Sequence, residues 1–249
     1  MHKLTYFLVV LVVATLGFSL LKRGQPVAAV YVGDQAKDTA DRFQEARRQF
    51  PMAEFDEPDL PDPEKNRAKK EKQKRYNDFK LVSIKPQPWK VETLVTSDGL
   101  FAFPALPVAQ SDMILTGVVG SAKAHLSENK KNVFSEFTVA VESVHKATNQ
   151  QGPKESLITV DRVGGFVRYP NGQEVLYRFA GANMPKVGAR YLFFLKSKNA
   201  RDRTILTAYE LTGGNVSPLD ASSQFATLEG LSEGEILQKL RDLLLKSGN

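Results

Sequence analysis

Between Leu4 and Leu21 the chain has eighteen residues without a charge, with Lys3 in front and Lys22–Arg23 behind. As a helix at 1.5 Å per residue this run would be roughly 27 Å long, close to the ~30 Å hydrocarbon core of a bilayer. A run apolar on every side needs enclosure on every side, which a chain of this size is poorly placed to give inside a soluble core. The expectation is an N-terminal transmembrane helix over residues 1–24, serving as an uncleaved anchor. The alternative is a cleaved secretory signal. Leu4–Leu16 suits its apolar region, and Gly17-Phe18-Ser19 or Val27-Ala28-Ala29 would supply small residues for the cut. Leu20, Leu21 and the two cations after them argue for the anchor, because cations beside an apolar segment translocate poorly. A long C-terminal domain behind such a segment crosses largely regardless of charge, so the rest of the chain is expected outside the cytoplasm. The expected setting is single-pass in a bacterial cell membrane, or secreted or periplasmic if the segment is cut.

Cysteine is absent, which excludes a disulfide framework, a thiolate zinc site, a cysteine nucleophile and a lipoprotein-type acylated cysteine. The roughly 220 residues beyond the anchor must therefore rest on a hydrophobic core, which this length allows.

The net charge of +6 is unevenly placed. Residues 34–63 carry four cations against nine acids, residues 64–90 ten cations against three acids, and residues 91–249 seventeen against sixteen. The basicity thus belongs to one segment and does not describe a basic folded domain. Asp34 can cap a helix that Pro51 stops, with acids leading and Arg47–Arg48 closing, so residues 34–50 read as a solvated spacer helix. Residues 51–78 read as a linker, first rich in proline and acid and then basic, with helix in its second half. Lys65, Arg67, Lys69, Lys70, Lys72, Lys74 and Arg75 are candidates to hold anionic lipid, an envelope polymer or nucleic acid. Only Tyr76 and Phe79 at the edge of this run could stack on bases, which weakens the nucleic-acid version.

From Phe79 strand formers dominate. Met113–Ala122 and Val133–Val144 flank the polar loop Leu126–Asn132, and the change of apolar parity at Val144 predicts a bulge or the end of the ladder. Leu157–Arg162 leaves at Gly164–Gly165, and Phe166–Tyr169 and Gln173–Phe179 flank Asn171–Gly172, a strong hairpin signal. Tyr191–Leu195 is unbroken and must be covered on both faces. Thr204–Leu211 and Val216–Leu219 follow. Ser232 and Glu235 form a capping box for a helix over 231–246, with Ile236, Leu237, Leu240, Leu243 and Leu244 as its apolar face. The expected fold class is mainly β: a small antiparallel OB-like barrel or sandwich over 79–220 with a C-terminal amphipathic helix packed on it, preceded by the transmembrane helix and charged linker.

Several of these segments carry a resemblance. They are Thr116-Gly117-Val118-Val119, Ser135-Glu136-Phe137-Thr138-Val139, Val141-Glu142-Ser143-Val144, Ile158-Thr159-Val160 before Gly164-Gly165, and Gly188–Leu195. Over about 100 residues, Met113 to Leu211, the chain resembles an uncharacterised kind of bacterial exported β-barrel domain, similar in pattern to OB-like folds and the netrin/TIMP-like module. The resemblance implies a fold and an exported setting. The cysteines that staple netrin-type modules, and the one a TIMP turns on a metalloprotease, are missing, so no activity comes with it.

Chemistry is sparse. His125 and His145 each lack a second ligand at metal spacing and read as surface histidines at strand ends, although pairing of their strands could bring them together. Ser143 and Lys146 match S-x-x-K by letter, but on a strand they point to opposite faces. Asp161–Arg162, where a strand meets a loop, reads as a surface ion pair at a turn or a weak binding site. No P-loop, dinucleotide fingerprint or G-x-S-x-G is present. No catalytic, cofactor-binding or metal-ligating set is expected. The leading function is a membrane-tethered binding or structural module of the bacterial envelope, held through residues 4–21 and meeting a protein or envelope-polymer partner. Alternatives are an OB-like nucleic-acid binder with a basic arm, and a hydrolase whose site is assembled only in space.

Overall fold

In the computed structural model the described residues are 41, 43–77, 93–94, 103–148, 156–179, 181–199 and 202–247. The apolar run 4–21 and residues 34–40 of the expected spacer helix lie outside them. Among the described residues no helix is long and apolar enough to cross a membrane. Residues 44–249 form one compact unit.

The unit is built on a closed ring of five strands: β3 (Met113–Leu126), β4 (Val133–Ala147), β5 (Leu157–Val163), β9 (Asp202–Thr212) and β8 (Arg190–Asn199). β3 pairs with β4 and β8, β4 with β5, and β8 with β9, all antiparallel. The ring closes through one parallel pairing, Asp161 on β5 opposite Thr204 on β9. This settles barrel over sandwich and corrects the wholly antiparallel expectation. The β3–β4 register shifts near Val144, where Ile114 pairs with Lys146 but Leu115 with Val144, so His145 is the extra residue of a bulge.

A second sheet is inserted between β5 and β8. β6 (Gly165–Arg168) and β7 (Glu174–Phe179) form the hairpin expected at Asn171–Gly172, flanked by β1 (Met52–Glu54) parallel to β6 and β2 (Thr93–Leu94) parallel to β7. The corner from ring to second sheet is made by Gly164 and Gly165, at φ 115° and 144°. A Cβ at Gly165 would lie 2.9 Å from both Ala124 Cβ and Ser135 Oγ, so backbone angle and space both demand glycine. Ala53, Ala124, Leu126, Val133, Val167, Val175 and Tyr177 join the two sheets in one apolar cluster.

β10 (Asn215–Pro218) extends the ring sheet beside the end of β9. After the short helix α2 (Ser223–Ala226), the chain ends in α3 (Glu233–Ser247). The capping box forms as read: Glu235 Oε2 accepts from the Ser232 amide at 2.8 Å, and Ser232 Oγ accepts from the Glu235 amide at 3.3 Å. Ile236 and Leu240 are fully buried against Leu192, Phe194, Tyr209, Leu211 and Val216, with Leu237 and Leu244 packed at the edge. Leu243 departs from the expected stripe and is exposed. Leu192 and Phe194 face α3 while Tyr191, Phe193 and Leu195 take the alternate side of β8, which is why that unbroken run is buried throughout.

Residues 51–77 are not a detached linker. Besides β1 they contain α1 (Pro63–Arg75), capped by Asp62, whose carboxylate accepts from the Glu64 and Lys65 amides at 3.0 and 3.2 Å. Nor is the end of the spacer segment wholly solvated, for helical residues 44–49 bury Ala46, and Phe50 meets the Phe166 ring edge to face. Proline and charge at this density read as a linker; matched charges and a few aromatics are what fasten the segment.

Candidate functional site

One rung of the ring carries a polar row across four strands: Lys123 on β3, Glu136 on β4, Asp161 on β5 and Thr204 on β9 are direct register partners. Two rungs along lie His125, Phe134 and Val163. Alternation along each strand puts both rungs on one face. α1 lies over that face and reaches it through long side chains rather than close backbone packing.

Lys72 is the centre of the contact. Its ammonium sits 2.5 Å from Glu136 Oε1 and 2.9 Å from Asp161 Oδ2, and 5.9 Å from the centre of the Phe134 ring. Burial alone would lower the Lys72 pKa, but the Asp161 and Glu136 charges raise it. Burial would likewise raise Glu136, yet hydrogen bonds from His125 and Lys72 hold it at about 2. Thr204 Oγ1 donates to the other Asp161 oxygen at 2.7 Å. His125 bridges two carboxylates, with Nε2 3.2 Å from Glu136 and Nδ1 3.4 Å from Glu57. Glu57 also takes Lys123 at 2.6 Å and Lys69 at 3.0 Å, contacts that bring its pKa down against burial. Just past α1, Tyr76 stacks on Phe134 with ring centres 4.0 Å apart and 8° between planes. Burial and the nearby Asp161 carboxylate push the Tyr76 phenol well above its ordinary value.

The basic run is therefore engaged within the fold. Lys65, Lys69, Lys70, Lys72, Lys74 and Arg75 lie within 4 Å of Asp62, Glu57, Asp59, Glu136 and Asp161, Glu128 and Asp202 respectively, and Arg67 is exposed. A cleft of ≈ 290 Å³ at the α1 flank, which Phe55, Glu57, Lys69, Lys70 and Glu128 help to line, has its lysines paired with carboxylates in the same way.

The four loop candidates separate. Asp161 and Arg162 are not a surface pair at a turn: both are buried within β5 and point to opposite faces. Arg162 instead meets Asp220, which also accepts from Thr207 Oγ1 at 2.9 Å, and burial pushes the Asp220 carboxyl up against the opposing pull of Arg162. His125 is buried rather than on the surface. His145 lies toward the other end of the β3–β4 hairpin, 2.7 Å from Thr116 Oγ1, so the two histidines do not meet. Burial, then the charges of Arg241 and Arg190, lower the His145 pKa. Lys146 donates to the Val108 and Ser111 carbonyls, both at 2.7 Å, a structural bond that has nothing to do with Ser143. Among the described residues no three His, Asp or Glu side chains are placed to hold a metal ion.

Sequence reading missed Glu57, Glu136, Tyr76, Thr204 and Asp220. Glu136 falls on the wet side of its alternating strand, and its partner Lys72 lies 64 positions earlier in the chain. No family model, curated protein or solved structure matches the chain.

Proposed function

We propose that this chain is a membrane-tethered, extracytoplasmic binding or structural module of the bacterial envelope. The observation that carries it is the pairing of one uncharged eighteen-residue run, flanked by Lys3 and Lys22–Arg23, with one compact unit over residues 44–249. A single apolar helix in front of a self-contained domain suits display of that domain at a membrane surface. The ring order β3-β4-β5-β9-β8, with its one parallel pair, supports reading the barrel as OB-like. Modules of that kind present ligands to the face of their second and third strands, here β4 and β5. The partner is a protein or envelope polymer.

Protease treatment of intact cells and of spheroplasts tests this. A released fragment carrying the ring, with cleavage between residue 24 and the folded unit, is the expected result. A ring degraded only after the cytoplasmic membrane is opened overturns the orientation. Against the nucleic-acid alternative stand the carboxylate partners of Lys69, Lys72 and Arg75. That alternative requires single-stranded DNA binding that weakens steeply with salt, and a titration without binding removes it.

A further inference from the structure

α1 covers the β4–β5 face without an apolar face of its own. Its sequence, Pro-Glu-Lys-Asn-Arg-Ala-Lys-Lys-Glu-Lys-Gln-Lys-Arg, contains Ala68 as the only small apolar residue after Pro63, and none of its residues is fully buried. It is held instead by ion pairs to Glu57, Glu136, Asp161, Glu128 and Asp202, with Tyr76 at its end as the large apolar anchor. Of the two carboxylates that Lys72 meets, the Asp161 side chain is 2% exposed and that of Glu136 29%, and Lys72 itself is 12% exposed. Lifting α1 breaks these pairs but returns every charge to water, so the desolvation penalty recovered offsets part of the attraction lost. The ring does not depend on α1 in the same way. Its strands close on one another through backbone ladders, and its outer face at β8–β9 is covered separately by α3.

We infer that α1 with Tyr76 is a polar strap that opens as a unit while the ring stays folded, uncovering the face formed by Phe134, Glu136, Asp161 and Val163. Local opening of this kind draws on segments with few buried apolar contacts, which is what distinguishes α1 from every ring strand. The strap would keep shut the very face that an OB-like module uses.

The absence of cysteine makes the test direct. Val163→Cys places a thiol beneath Tyr76, in the cluster of Tyr76, Phe134, Val163 and Ala182. Val160→Cys, three residues earlier on β5 and fully buried on the other face, is the ring control. In the full-length chain a thiol reagent should modify the Val163→Cys protein at least a hundredfold faster than the Val160→Cys protein. Adding Lys72→Met should speed modification at 163 a further tenfold or more and leave 160 unchanged. Equal rates at the two positions, or Lys72→Met raising both together, overturn the inference. Should the Lys72→Met chain fail to fold, amide exchange of the unsubstituted protein decides. Faster exchange over 63–75 than over 134–141 upholds the strap, and equal protection overturns it.

Discussion

Asp220 shows how much a single carboxylate can carry in this fold. It lies fully buried against Arg162, and Thr207 donates to its second oxygen. Asp220→Asn would leave the Arg162 guanidinium buried without a counter-charge, a loss of about 3–5 kcal/mol. Chemical denaturation should show it as a lower midpoint with an unchanged slope. Glu136 gives the pH dependence. Its pKa is held at about 2 against a reference of 4.5, so the stability it contributes is complete above about pH 4.5 and is lost as the pH falls towards 2. The gap corresponds to stabilisation on the order of 3 kcal/mol at neutral pH. Glu136→Gln should be the less stable protein at pH 7 and should converge with the unsubstituted one near pH 2, as followed by thermal unfolding across that range. Neither role is visible in the sequence, where Glu136 is a polar residue on an alternating strand and Asp220 merely follows the short strand Val216–Leu219.

At the scale of elements, legibility tracked how local the determining signal was. The Asn171–Gly172 hairpin and the Ser232–Glu235 capping box depend on neighbours within a few residues, and both form as read. Ser232→Ala should therefore cost about 1 kcal/mol. Leu240→Ala, which empties a fully buried position under α3, should cost about 2–5 kcal/mol. Leu245→Ala should change nothing measurable, because Leu245 is 74% exposed. Denaturant midpoints of the three variants would check this order. α1 was legible as a helix but not as a packed one, since its partners are single carboxylates on Glu57, Glu128, Glu136, Asp161 and Asp202, far apart along the chain.

For the whole molecule, the folded unit starts well before the strand-rich part of the sequence. Phe50, Ala53 and Tyr76 are buried, and β1 adds a parallel edge to β6. A chain begun at residue 79 should thus be less stable than one begun at residue 44, by about 2 kcal/mol for each large apolar side chain removed. Comparison of their thermal unfolding tests where the domain begins. The signals legible along the chain were local: strands from alternation, turns from Asn-Gly and Gly-Gly, and the terminal helix from its cap and stripe. Tertiary structure alone decided the closure of the ring through Asp161 and Thr204, the burial of Asp161, Arg162 and His125, and the docking of the basic run on the acids of the β4–β5 face. The physical reason is range. Backbone preference and hydrophobic period act over a few residues and can be read along the chain, whereas a charge counts as solvated or paired only when folding brings its partner within about 4 Å.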